Sequence, residues 1–119
     1  MIETKEAVEN LDQILSVPNL TGVYIGPADM SSSYGLPPKF DVREDPVFSN
    51  IKIIAKKAQE YGKIAGIHNG STSYAKEMIN IGYKLVTILS DFRVMSSNSQ
   101  KIVDEMKDTK NEDKDTSTY

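Results

Sequence analysis

The sequence predicts an α/β domain built on a parallel sheet, because short apolar runs alternate with helical repeats and glycine ends two of the helices just ahead of a run. The runs lie at residues 22–26, 63–68 and 83–89. Each is β-branched and nearly continuous, the pattern of strands buried on both faces. Between them, Val8, Leu11, Ile14 and Leu15 follow the rhythm of one helix face, and Ile51, Ile54, Ala55 and Ala58 repeat it. Ala75, Met78 and Ile79 mark a third helix, and Ile102, Val103 and Met106 a fourth. Asp45-Pro46 is a start signal for the second helix, a carboxylate cap followed by proline at the first helical position. Gly62 and Gly82 are the expected left-handed stops, each followed at once by a strand, the tight joint of β/α units. Met1-Ile2-Glu3 reads as the tail of one more strand. Four β/α units make half of an eightfold barrel or a small open sheet, and periodicity alone favours neither.

Composition narrows the function classes. The chain has 119 residues, enough for one compact domain, and 39% of them are apolar. With 17 acidic and 14 basic residues the formal charge is −3, so no basic face is available for a phosphate backbone and nucleic acid is not an expected partner. Cysteine is absent, which excludes disulfides, thiolate zinc sites and a cysteine nucleophile. No apolar run reaches the ~18 residues of a membrane helix, and the acidic start lacks a signal-peptide core, so a cytoplasmic protein with no membrane partner is expected. Residues 107–119 carry charged and small polar side chains with no apolar residue but Tyr119, and this tail is expected to be disordered.

The chemistry-bearing candidates gather where strands end. Glu3 closes the first strand, and Asp29 follows the second through a Gly26-Pro27-Ala28 turn. Successive parallel strands end side by side, so both carboxylates can enter one site. Two oxygen ligands with open positions suit Mg²⁺ or Mn²⁺. A frayed terminal acid and a turn cap explain the same two residues as well. His68, the single histidine, stands at a strand's C-terminal end and could line such a site. Asp91 and Arg93 read equally as a salt link or helix cap, and Ser31, Ser32 and Ser33 as loop decoration. Residues 30–46 read as a long loop at the edge where β/α enzymes keep their chemistry, which suits an active-site lid. Neither a Gly-rich phosphate loop nor a Ser–His–Asp set is present, which argues against nucleotide-binding and hydrolase functions.

Three segments carry a family resemblance: Ile2-Glu3-Thr4, residues 7–11 (AVENL) and residues 25–31 (IGPADMS). They closely resemble the HpcH/HpaI aldolase/citrate lyase family, in which an IET…A…NL segment precedes a GxxxIGPxDLS segment. The 26-residue separation of Glu3 and Asp29 agrees with the family's spacing. Residues 66–70 (GIHNG), 75–79 (AKEMI), Gly82-Tyr83 and 90–93 (SDFR) also look like the family, so the likeness runs to about residue 106. It implies that residues 1–106 are the C-terminal half, about the last four β/α units, of a TIM (β/α)₈ barrel. It implies too that Glu3 and Asp29 bind a divalent metal (Mg²⁺, Mn²⁺ or Co²⁺), and that Gly26, Pro27 and Ala28 meet the substrate carboxylate.

The chemistry so implied is retro-aldol cleavage of 4-hydroxy-2-oxo acids to pyruvate and an aldehyde. The metal chelates the 2-oxo acid and stabilises the enolate as the C–C bond breaks. Where the sequence departs from the family, it does so by length: a barrel of this kind takes roughly 250 residues. The family's base histidine and its keto-polarising arginine lie ahead of the metal-binding glutamate, and no residue here matches them. The catalytic residues are therefore unknown, and the chain alone is expected to turn over little. Met1 then reads as an internal methionine taken for a start, or the gene as split or decayed. Self-association or pairing with an N-terminal half is expected. The alternative is a non-catalytic remnant, an assembly or binding module of the same fold.

Overall fold

A computed structural model describes the backbone of residues 1–115 and the side chains of residues 1–107. Residues 1–88 form one compact unit and those from Leu89 onward a second. The first unit contains α1 (Lys5–Glu9), α2 (Leu11–Leu15), β1 (Gly22–Ile25), α3 (Pro27–Ser33), α4 (Val47–Glu60), β2 (Ile64–Asn69), α5 (Thr72–Ile81) and β3 (Leu85–Ile88). The second carries α6 (Asp91–Asp115).

The sheet is parallel throughout and its strands stand in chain order, β1-β2-β3. Ile2 adds one parallel bridge to Ile25, with its amide 2.8 Å from the Tyr24 carbonyl, so the chain start lies along the free edge of β1 as the expected strand tail. Side chains alternate across the strands. Val23, Ile25, Ala65 and Ile67 are buried on one face. Ile51, Ile54, Ala55 and Ala58 of α4 join them in the same core, together with Leu15 and Met78.

Among the described residues of the first unit, the other face carries exposed apolar side chains. Tyr24 pairs in register with Gly66 and Gly66 with Leu85, and His68 pairs with Thr87. Ile64 and Leu85 on this face stay 45% and 51% exposed. The runs were expected to be buried on both faces, and the helices bury only one. The reason is topological: right-handed crossovers between parallel strands added in one direction put every helix on the same side.

Both glycine joints form as expected. Gly62 and Gly82 adopt positive φ, at 65° and 123°. In each, the residue after glycine donates to the carbonyl five back, Lys63 to Ala58 at 2.8 Å and Tyr83 to Met78 at 3.1 Å. Elsewhere the boundaries move. The first expected helix is two short ones, broken at Asn10, whose side-chain amide and backbone N–H both donate to the Glu6 carbonyl at 3.0 Å. Helix α4 starts at Val47, one residue past the expected proline, and Asp45 accepts from the Ser49 amide at 3.0 Å. Ile79 proves exposed and Tyr74 takes its place in the core. Helix α6 spans Asp91–Asp115. Residues 116–119 of the expected tail lie outside the described residues.

Two buried tyrosines tie α5 to the loop after α3 and the segment before β3 to α4. Tyr74 donates to the Val42 carbonyl at 2.6 Å, and Tyr83 to the Ile51 carbonyl at 2.7 Å. Burial raises the pKa of both phenols above the usual tyrosine value. The unfolded chain therefore ionises first, so their contribution is complete below pH ~10 and is lost progressively as pH rises above that value toward the higher pKa of the folded phenols. Urea unfolding should show stability falling as pH rises above about 10. Tyr83→Phe should flatten that fall while lowering stability at pH 7 by about 1–2 kcal/mol, since the Ile51 carbonyl loses its donor.

Candidate metal centre

Parallel strands end at one edge of the sheet, and the pairing of Ile2 with Ile25 brings the next residues, Glu3 and Gly26, to that edge together. Helix α3 begins immediately, with Pro27 at its first position and Asp29 in its first turn. The expected Gly26-Pro27-Ala28 turn is thus the start of a helix. Met30 and Ser31–Ser33, expected as loop, belong to it. Met30 is fully buried, and the buried Ser31 hydroxyl donates to the Pro27 carbonyl at 2.8 Å. Ser33 is not decoration either, because its hydroxyl accepts the Lys5 amide at 2.9 Å and ties α3 to α1. Proline followed by an acid two residues later was the signal for this helix start.

Gly26 is where the two acids converge. A β-carbon placed there would stand 2.6 Å from Glu3 Oε1 and 3.3 Å from Asp29 Oδ2. Both carboxylates therefore reach one small space that any side chain at position 26 would occupy. They open onto a cavity of about 260 Å³, which Gly26, Pro27 and Ala28 also line. The structure thus brings every residue expected of the site to one place. Among the described residues no group of three or more acidic, histidine or cysteine side chains could hold a metal ion, and Glu3 and Asp29 are the two acids that line this cavity.

The far wall is made by Tyr24, Phe40 and His68. His68 Nδ1 lies 2.9 Å from Thr87 Oγ1, its register partner on β3, and the Tyr24 hydroxyl lies 2.5 Å from the same oxygen. Tyr24 reaches across Gly66, where a β-carbon would meet the tyrosine ring at 2.7 Å. Phe40 stands edge-on to the imidazole with ring centroids 5.0 Å apart. The sequence pointed to His68 but not to Tyr24, Phe40 or Thr87. The two-residue period of β1 and β2 could have placed Tyr24 beside it, but Phe40 comes from an irregular loop with no periodic signal. That loop, now residues 34–46, is anchored by Asp41, whose carboxylate accepts the Gly70 amide at 2.7 Å. Asp91 and Arg93 do not line this cavity. They open α6, where the Phe92 amide donates to Asp91 at 2.7 Å and the Arg93 amide to the Ser90 hydroxyl at 3.3 Å.

The family model described as HpcH/HpaI aldolase/citrate lyase matches residues 1–92. A hydroxypyruvate/pyruvate aldolase of Rhizorhabdus wittichii is 37% identical over 103 residues, which are 87% of this chain and 41% of that protein. A 2-keto-3-deoxy-L-rhamnonate aldolase of Escherichia coli is 34% identical over 95 residues, 80% of this chain and 35% of the relative. The crystal structure of an HpcH/HpaI aldolase from Desulfitobacterium hafniense superposes with a TM-score of 0.81 at 22% identity, covering 88% of this chain and 40% of that one. A family protein from Burkholderia cenocepacia gives the same score at 23% identity, covering 89% and 40%. The chain therefore matches the fold of a part of these proteins and spans well under half of their length. Gly66→Ala should push the Tyr24 ring off Thr87 at a cost of about 1–3 kcal/mol. Urea unfolding and the tyrosine ring signals in NMR check both effects.

Proposed function

This chain belongs to the HpcH/HpaI aldolase/citrate lyase family, and we propose that it supplies the metal-binding side of a lyase site that cleaves 4-hydroxy-2-oxo acids to pyruvate and an aldehyde. The observation that carries the reading is the convergence of Glu3 and Asp29 on the space left by Gly26. Two carboxylates and open positions fit Mg²⁺, Mn²⁺ or Co²⁺, which accept oxygen donors and keep sites for water and substrate. Such an ion, when bound, supplies Lewis acidity to a carbonyl oxygen. The chain's own residues do the rest of the holding. Glu3 and Asp29 bind the ion, and the backbone N–H groups of Gly26 and Ala28 meet the substrate carboxylate. Pro27 donates none and fixes the backbone between them.

In the proposed reaction the C4 hydroxyl loses its proton, the C3–C4 bond breaks, and a proton returns to C3. The base is assigned to residues beyond this sequence, since the chain covers 41% of the Rhizorhabdus relative. The same proportion supports reading the sheet as part of a closed (β/α)₈ barrel, with strands in chain order and helices on one side. The uncovered face, with Ile64 and Leu85 exposed, is then the barrel interior, which a complementary half or a second copy of the chain would cover. A non-catalytic module that keeps only this assembly face is the second reading, and the same exposure favours it.

Titration of the 119-residue chain with Mn²⁺ tests the ligand pair. Glu3→Gln combined with Asp29→Asn should abolish binding, and Gly26→Ala should weaken it about tenfold or more by displacing the glutamate; unchanged affinity in the double variant sinks the assignment. Mn²⁺-dependent pyruvate release from a 4-hydroxy-2-oxo acid should be slight for the chain alone. Robust turnover would overturn the claim that the base lies elsewhere.

A further inference from the structure

Three polar groups of the far wall share hydrogen bonds whose proton order can be argued from the donors and acceptors present. Thr87 Oγ1 stands between the Tyr24 hydroxyl and His68 Nδ1, at 2.5 and 2.9 Å, whereas Tyr24 and His68 are 3.5 Å apart. When Tyr24 donates to Thr87 and Thr87 donates to Nδ1, both hydroxyl protons are used and the neutral imidazole carries its proton on Nε2. The reverse order, Nδ1–H to Thr87 and Thr87 to Tyr24, leaves the phenol proton with no acceptor inside the network. The first order uses every proton, and Phe40, edge-on at 5.0 Å, holds the ring plane.

The other lining side chains show what this leaves for a ligand. Glu3 and Asp29 accept hydrogen bonds when ionised, and Pro27, Ala28 and Phe40 offer no side-chain donor. Tyr24 is committed to Thr87. Among the described residues lining the cavity, His68 Nε2–H is thus the remaining side-chain donor. We propose that His68 is a specificity residue: Tyr24 and Thr87 lock its Nε2–H tautomer, and that N–H binds a ligand oxygen, the C4 hydroxyl of a 4-hydroxy-2-oxo acid. The assignment rests on the reading of the cavity as a 2-oxo acid site. Tyr24 and Thr87 act through His68 and are positioning residues, for which Gly66 leaves room.

The single histidine makes the tautomer directly observable. Long-range ¹H–¹⁵N NMR of the full chain in mildly alkaline solution should show the Nε2–H form, and Thr87→Val should turn it into a mixture. A predominant Nδ1–H form in the unaltered chain overturns the proposal. In the second experiment the Mn²⁺-loaded chain is titrated with 4-hydroxy-2-oxobutyrate and with 2-oxobutyrate. The hydroxylated acid should bind about tenfold more tightly, the worth of one well-placed hydrogen bond. His68→Leu should remove that preference and leave 2-oxobutyrate binding unchanged, while His68→Gln, which keeps a donor, should restore part of it. Persistence of the preference in His68→Leu, with 2-oxobutyrate still bound, refutes the role of His68 alone. Failure of either acid to bind refutes the 2-oxo acid reading, and the ligand assignment falls with it.

Discussion

In a parallel sheet all strands run out at one edge, and the register then decides which side chains meet there. Here Tyr24 pairs with Gly66 and His68 with Thr87, while the Ile2–Ile25 bridge sets Glu3 beside Gly26. The cavity depends on this pairing at every point. A one-residue slip of β2 would turn His68 and Gly66 into the core and bring Ile67 out. The fully buried Ile25 and Ile67, packed with α4 on the other face, oppose that slip by several kcal/mol. The core thus stabilises the fold and also holds the polar groups of the cavity in register.

Two glycines do for the site what a side chain could not. Gly26 leaves the space that Glu3 and Asp29 share, and Gly66 leaves the space that the Tyr24 ring crosses. Neither has the positive φ of Gly62 or Gly82, so their value is volume and not backbone freedom. The joints at Gly62 and Gly82 serve the opposite end of the strands, turning each helix into the next strand with the same pair of hydrogen bonds. Chemistry and connection are in this way separated to the two edges of one sheet.

The covered and uncovered faces of the sheet bear different burdens. One face carries Val23, Ile25, Ala65 and Ile67 in the core with α4, and the other carries Tyr24 and the exposed Ile64 and Leu85. The fold of this chain matches 40% of the Desulfitobacterium structure. Polar residues of the uncovered face group near its C-terminal edge, where His68, Thr87 and Tyr24 bond to one another. Apolar Ile64 and Leu85 lie farther from that edge. A gradient from apolar to polar along one face suits a site built at the strand ends above a packed interior.

Much of this was legible in the residues themselves. Periodicity gave the strands and most helices, and Gly62 and Gly82 marked their joints, because local φ/ψ and spacing are written in neighbouring residues. The motifs around Glu3 and Asp29 identified the family and nominated both acids. Periodicity could not reveal that only one face is covered, since an apolar run reads alike in a closed core and over an open face. It also hid the break at Asn10 and the burial of Ser31, whose hydroxyl bonds the Pro27 carbonyl. The sequence by itself determined a parallel α/β unit and its pair of acids. Only the tertiary structure decided that Glu3 and Asp29 share the space of Gly26, and that Tyr24, Phe40 and Thr87 surround His68. Those meetings join residues 26 to 63 positions apart (Glu3 with Asp29, Tyr24 with Thr87), and only strand pairing and loop closure bring such distant residues together.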